Sequence, residues 1–205
     1  MNESGRPVRL WPLWAGLSMM LCPDNAEAHL VTTGLGPIYD GISNFASSPD
    51  VLVPVLALAL FAGLRGAAAS RATLFLLPVA WLAGALARGQ TETASFTVIS
   101  AISFLVSGTL VAADLRLKRG TVATIAVSLG LCEGYINGTT PQPNGSGWLD
   151  LIGAIATIFV AVAIVAAFVI RLKPPWTRVA VRVVGSWIAA TGLLLLGWSF
   201  HSGRL

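Results

Sequence analysis

Two pairs of oxygen-bearing side chains repeat a four-residue spacing at two distant points of the sequence. Asp40 and Asn44 form the first pair, and Glu133 and Asn137 form the second. Residues four apart on a helix share one face, so each pair would present a carboxylate beside an amide. Oxygen ligands of this kind suit hard divalent cations such as magnesium, calcium or manganese. The four side chains are therefore candidates for one oxygen-rich site, with Asp150 near enough in the topology to help.

Glu133 is the strongest single candidate, because it lies inside an apolar stretch, 121–138. An ionisable side chain within a membrane helix is costly unless it is paired, hydrated or ligated, so it marks a functional site by default. The alternative is structural: a protonated carboxyl, or one that caps a neighbouring helix. Glycines at four-residue spacing around it predict close approach of another helix; they are Gly130, Gly134 and Gly138.

The elements that must position these residues are membrane helices. The chain has 205 residues, of which 55% are hydrophobic and 11% charged, a composition not expected of a water-soluble domain. A helix needs roughly 20 apolar residues to cross the hydrocarbon core of a bilayer. Runs that meet or approach this length lie at 51–69, 72–88, 94–114, 121–138, 149–170 and 178–200. We predict an all-α integral membrane protein with six transmembrane helices in a single polytopic domain, 29–205.

Residues 1–28 resemble a signal peptide. A basic start precedes an apolar stretch from Leu10 to Cys22, and Ala26-Glu27-Ala28 fits a signal-peptidase site. Cleavage there would leave His29 as the N-terminus, with an amine and an imidazole to offer to a metal. Retention of the segment would instead make it an anchor and a seventh membrane helix.

The segment between residue 29 and the first span is too polar to cross a membrane, but it has helical spacing after Gly36-Pro37. Its apolar positions are Ile38, Ile42 and Phe45. We predict a short outer-face helix there, separate from the first span. Ser48-Pro49-Asp50 then predicts the start of a new helix, with Ser48 as its N-cap.

Basic residues cluster in alternate loops, which the positive-inside rule assigns to the cytoplasm. They are Arg65, Arg71, Arg116, Lys118, Arg119, Arg171, Lys173, Arg178 and Arg182. Most acidic residues fall on the other side. The pattern predicts that the mature N-terminus and C-terminus lie outside. Asp114, an acidic exception, is expected to pair with Arg116 at the inner interface.

Several segments resemble the HupE/UreJ family, membrane accessory proteins associated with hydrogenase and urease operons and regarded as nickel or cobalt permeases. The similar segments are Ala28-His29, Gly-Pro-Ile-Tyr-Asp-Gly-Ile-Ser-Asn-Phe at 36–45, Leu76-Leu77-Pro78, and Cys-Glu-Gly-Tyr-Ile-Asn-Gly at 132–138. The last is the most specific. The resemblance covers most of the chain after residue 28 and implies a metal-transport function in the bacterial inner membrane.

The family's motif histidines are absent from this chain. Gly36 stands at the first histidine, Asn44 at the next if one residue is inserted, and Glu133 and Asn137 at the later pair. Ser43 stands where the family has an aspartate, and Asp40 has no family counterpart. Imidazole suits nickel and cobalt, whereas these oxygens suit harder ions. The tentative ligand set is Glu133, Asn137, Asp40, Asn44 and His29.

Two functions remain open at this point. The first is a permease or channel that admits a divalent cation from the outer face, with the bilayer and the ion as partners. The second is a non-transporting membrane subunit or scaffold, whose partner would be another membrane or periplasmic protein. No enzyme is expected, because the chain lacks a Ser-His pair or a His-Glu-x-x-His motif. Nucleic-acid binding is not expected either, since there is no compact soluble basic domain. No cofactor is expected, and the metal ion that the resemblance implies would be the transported substrate.

Overall fold

Backbone amides in lipid must be paired within their own segment, and a helix does this for a long apolar run. The computed structural model describes residues 33–88, 96–138, 146–172 and 175–201. These residues form helices and no strand, so the predicted all-α class is confirmed for them. The helices are α1 (Pro37–Ser47), α2 (Pro49–Arg65), α3 (Ala67–Ala87), α4 (Phe96–Ala113), α5 (Arg119–Asn137), α6 (Ser146–Arg171) and α7 (Pro175–His201). The signal segment and His29 lie outside the described residues.

Three of these helices, α3, α6 and α7, are long and apolar enough to cross a membrane on their own. The pair α1 and α2, bent by 76° at the break between them, passes the same test together, as one broken span or a re-entrant loop. Helix α4 is apolar but shorter over Val98–Ala113. The described residues thus contain three to four membrane spans by length and composition, and the count of six stays a prediction.

Each predicted run overlaps mainly with one of these helices, but the break between the first two helices lies earlier in the chain than the runs placed it. The runs 51–69 and 72–88 put the turn near residue 70, whereas α2 ends at Arg65 and α3 begins at Ala67. Gly66 alone makes the turn, with φ 94° and ψ 179°, a backbone conformation essentially restricted to glycine. Hydropathy could not locate this break, because the residues around the glycine remain largely apolar.

The short helix α1 is confirmed as separate from α2. Ser48 is the N-cap residue of α2, as predicted, and its carbonyl accepts the Leu52 N–H at 2.9 Å, but its side chain forms no capping bond. The Ser48 hydroxyl donates instead to the carbonyl of Asn44, at 2.6 Å. Pro49 removes one of the unpaired N–H groups of the first turn, and the Val51 N–H donates to the Ser48 carbonyl at 3.2 Å, so the missing side-chain bond costs α2 little.

Glycines bring three pairs of helices into backbone contact. In α3 and α5, a Cβ added to Gly134 would lie 1.9 Å from the Trp81 carbonyl oxygen. Gly192 of α7 meets the backbone of α4, and Gly41 of α1 meets the carbonyl of Asp150 in α6. The predicted close packing at Gly130, Gly134 and Gly138 is confirmed, since all three face α3 within contact distance.

The contacts define two ends of the bundle. Asp114, just after α4, binds Arg65 at the end of α2 and Arg178 near the start of α7; we call this the basic end. At the other end, Glu133 of α5 lies within electrostatic reach of Asp50 in the first turn of α2; we call this the acidic end. Successive helices from α2 to α7 therefore alternate in direction, as the charge pattern predicted.

Candidate functional site at the acidic end

Glu133 is buried in the interior of the bundle, with 1% of its surface exposed. The glycines around it explain this position. Gly130 and Gly134 press α5 onto α3 at Leu77, Ala80 and Trp81, and that contact excludes solvent from the same stretch of helix. The carboxyl is therefore inside the protein and not in the lipid or at the surface.

The two oxygens of the Glu133 carboxyl have different surroundings. Asn137 donates from Nδ2 to Oε2 at 2.9 Å, which confirms that the two side chains share a face. Oε1 is buried and accepts no hydrogen bond within the described part of the chain. The Ser103 hydroxyl of α4 approaches the carboxyl as a weak hydrogen-bond donor, and the Asp50 carboxyl of α2 is within electrostatic reach. Since buried polar atoms are nearly always paired, Oε1 is an open position for a proton, a water or a cation.

An aromatic pair lies beside this site. Trp81 of α3, 2% exposed, packs its backbone against Gly134, the residue after Glu133. Its ring meets Phe45 of α1 edge to face, with the centroids 6.2 Å apart. Trp81 Nε1 and Thr73 Oγ1, both on α3, are also buried without a hydrogen-bond partner among the described residues. The interior faces of α3 and α5 thus carry several polar atoms whose bonding capacity is unused.

The first predicted pair, Asp40 and Asn44, lies on α1. Asp40 Oδ1 accepts two hydrogen bonds from Thr33, at 2.5 Å from the backbone N–H and 2.7 Å from the hydroxyl. Asp40 thereby stabilises the turn that precedes α1. Asn44 is half-buried, and its backbone carbonyl accepts the Ser48 hydroxyl. Convergence of this pair with Glu133 and Asn137 stays a prediction.

No group of three or more His, Cys, Asp or Glu side chains that could hold a metal occurs within residues 33–88, 96–138, 146–172 and 175–201. A cation at Glu133 would therefore depend on neutral oxygens beside the carboxylate. The amide of Asn137 can provide one, because it donates through nitrogen and keeps its oxygen as an acceptor. Asp150 lies at the start of α6, where its backbone carbonyl meets Gly41 of α1. His29 lies outside the described residues.

Sequence reasoning missed Arg88, which positions the end of α5. This arginine follows α3 and donates from Nη1 to the carbonyls of Ile136 and Gly138, at 2.9 and 3.0 Å. It thus satisfies carbonyls that the last turn of a helix leaves unpaired, on both sides of Asn137. The sequence does mark Arg88 as unusual, because it is a basic residue in a loop that was assigned to the acidic side. Ser103, a hydroxyl in an apolar run, was also missed.

The expected ion pair of Asp114 with Arg116 is wrong. Asp114 binds Arg65, and Arg178 donates to it from Nε and Nη2 at 2.6 and 3.1 Å. The reason is tertiary, because the packing of α2, α4 and α7 brings both arginines to the residue that ends α4. The hydrogen bond from Arg178 and the charges of Arg65 and Arg182 hold the pKa of Asp114 below its ordinary value, against an opposing effect of burial.

Comparison with known proteins gives one match. Residues 17–195 match the family model described as HupE / UreJ protein, which includes both predicted pairs and all of α1 to α6. Among curated proteins and among solved structures, nothing matches the chain significantly.

Proposed function

Because the chain belongs to the HupE/UreJ family, we propose that it is a membrane permease or channel that carries a divalent metal cation. The observation that supports this most is the buried Glu133 carboxyl, with Asn137 on one oxygen and no partner for the other in the described residues. These two residues stand at the family's later histidine pair. A carboxyl there, inside an apolar bundle, is the group that a passing cation would bind.

The proposed substrate is a hard divalent cation such as manganese or magnesium. Oxygen is the donor atom that Glu133 and Asn137 have in place of imidazole nitrogen, and carboxylate and amide oxygens are the usual ligands of such ions, whereas imidazole is a usual ligand of nickel. We further propose entry from the acidic end, which the distribution of basic residues predicts to be outside.

A carboxyl that is 1% exposed is out of reach of bulk solvent, so the proposed transport requires an opening motion. Helix α1 is the element best placed to make it. It is short, it is bent by 76° from α2, and its Phe45 meets Trp81 of α3, which in turn packs against the residue after Glu133. Movement of α1 would separate this aromatic pair and open the acidic end.

Uptake into liposomes tests the proposal. The purified protein is reconstituted into liposomes that enclose a metal-sensitive dye. The rate of influx is then compared for manganese, magnesium, nickel and cobalt. Glu133→Gln keeps the size of the side chain and removes its charge, so uptake should fall to the level of empty liposomes. Cys132→Ser, an exposed neighbour on the same helix, is the matched control and should transport normally. Asp40→Asn tests whether the first pair belongs to the site.

Thermal unfolding of the same samples in detergent gives a second measurement. An ion at 100 times its dissociation constant should stabilise the protein by about 2.7 kcal/mol, and Glu133→Gln should abolish this effect. If no ion stabilises the protein and the unaltered chain takes up no ion above the level of empty liposomes, the permease proposal is wrong; if Glu133→Gln transports as well as the unaltered chain, the role of Glu133 is wrong.

The second candidate function is a non-transporting subunit or scaffold. It is favoured by the lack of three metal-binding side chains grouped together within the described residues. It predicts that a protein partner co-purifies with the chain in mild detergent from the native cells. The unaltered protein and the Glu133→Gln variant should retain this partner equally.

A further inference from the structure

A cavity of about 200 Å³ lies at the basic end, away from Glu133, between the end of α2, the end of α6 and the start of α7. One water occupies ~30 Å³ of liquid, so the cavity is several waters in size. Its lining combines apolar side chains, which we call the apolar wall, with polar side chains, which we call the polar side. The apolar wall includes Leu64, Val169, Ile170 and Val181, and the polar side includes Thr177 and Arg178.

The charges at this end of the bundle do not balance, and one of them, Arg178, lines the cavity. Asp114 is the one carboxylate bound there among the described residues, and it binds both Arg65 and Arg178. Arg182 donates to the Ala112 carbonyl at 2.8 Å, and Arg116 is within electrostatic reach of Arg65. Three guanidinium groups thus act on one carboxylate, and Arg116 adds a fourth positive charge near Arg65. An excess of positive charge at a membrane interface attracts anionic headgroups.

Arg65 provides a second, independent observation. Its side chain is 8% exposed, yet its Nε has no hydrogen-bond partner in the described part of the chain. Its neighbours Leu64 and Gly66 both line the cavity. A buried guanidinium with an unused donor is a group that an acceptor oxygen would stabilise.

We infer that this cavity binds the phosphate group of an anionic phospholipid. Guanidinium groups pair with phosphate oxygens in a fork geometry, and Arg178 is half-exposed at the polar side, where a headgroup would enter. The apolar wall then contacts the glycerol and the first acyl carbons, which inorganic phosphate does not possess. The bound lipid would join α2, α6 and α7 at this end. The inference does not depend on the proposed cation transport.

The shift in thermal midpoint on adding lipid tests the inference in detergent-purified protein. Phosphatidylglycerol should raise the midpoint by roughly 3–6 °C at ten times its dissociation constant, whereas phosphatidylcholine should give a much smaller shift. Arg178→Gln removes the charge at the polar side, and Val181→Phe fills the cavity without changing any charge. Both should reduce the shift given by phosphatidylglycerol to that given by phosphatidylcholine.

Arg119→Gln is the matched control, because it removes an exposed charge at the same end that does not line the cavity. It should leave the lipid shift intact. Each shift is taken within one variant, so a lower starting stability of Arg178→Gln does not affect the result. Equal shifts with both lipids, or a shift that survives in both cavity variants, would overturn the inference. Inorganic phosphate forms the third arm: if it alone reproduces the full shift, the cavity is a free-anion site and the lipid assignment is wrong.

Discussion

At the scale of single residues, the Glu133 carboxyl combines burial with incomplete hydrogen bonding. A carboxyl kept only for structure would be expected to have both oxygens paired, because an unpaired buried polar atom costs free energy. Asn137 pairs with one oxygen, and no described residue pairs with the other. This asymmetry makes the pair more useful for binding than for stability.

Replacement of Asn137 measures the strength of this pair. Asn137→Leu removes the donor to Oε2, so the free energy of unfolding should fall by about 1–3 kcal/mol. In a Glu133→Leu background the same change should cost much less, because no carboxylate is left without its donor. Thermal unfolding of the four proteins gives the coupling energy as a double-mutant cycle. Equal costs in the two backgrounds would show that the hydrogen bond contributes nothing.

Asp114 predicts an acid-dependent loss of stability at the basic end. Its folded-state pKa lies below the ordinary value of 3.8, so its ion pairs contribute fully above that value and are lost as the pH falls through the folded pKa. The difference in thermal midpoint between the unaltered protein and Asp114→Asn should be constant near neutral pH and shrink below about pH 4. Arg116→Gln, a control at the same end, should keep the acid dependence. A difference that is independent of pH down to 3 would contradict the assignment.

At the scale of helices, glycine contacts determine which elements hold the site. Helix α5 is less apolar than its neighbours, and its position depends on the contact that Gly130 and Gly134 make with α3. The last turn of α5 is also tied to Arg88 through two of its carbonyls. Both contacts fix the register of Glu133 and Asn137 relative to Trp81.

Two glycines of the same helix provide a matched test. Gly134→Ala would place a Cβ 1.9 Å from the Trp81 carbonyl oxygen, so the helices must separate, at a cost of about 1–3 kcal/mol or more. Gly120→Ala, also in α5, meets no atom within 4 Å and should be neutral or stabilising by up to ~1 kcal/mol. Thermal unfolding in detergent compares the two. Similar behaviour of both variants would rule out backbone contact between α3 and α5.

At the scale of the whole molecule, the two ends differ in charge, and that difference predicts the orientation in the membrane. A phosphatase reporter that is active only outside the cytoplasm should be inactive when fused after Lys118, in a basic loop. The same reporter fused after Leu205 should be active, because the positive-inside rule puts that end outside. The opposite pattern of activity would reverse the orientation and, with it, the proposed direction of cation entry.

The sequence by itself was sufficient for the class, the family and the local arrangement of the site. The apolar runs predicted helices because helix formation in lipid depends on composition over a single segment. Glu133 and Asn137 were placed on one face because four-residue spacing is a property of one helix. The close packing at Gly130, Gly134 and Gly138 followed from the same kind of local pattern.

Only the tertiary structure decided which groups meet across helices. It gave Asp114 the partners Arg65 and Arg178, placed Arg88 on the carbonyls of α5, and left Oε1 of Glu133 without a described partner. It also showed that the break between the first two spans is at Gly66. The backbone conformation of this glycine ends the helix, although the sequence around it stays largely apolar. Contacts of this kind depend on packing between helices that are far apart in the sequence. A local pattern of residues does not determine which distant helices pack together.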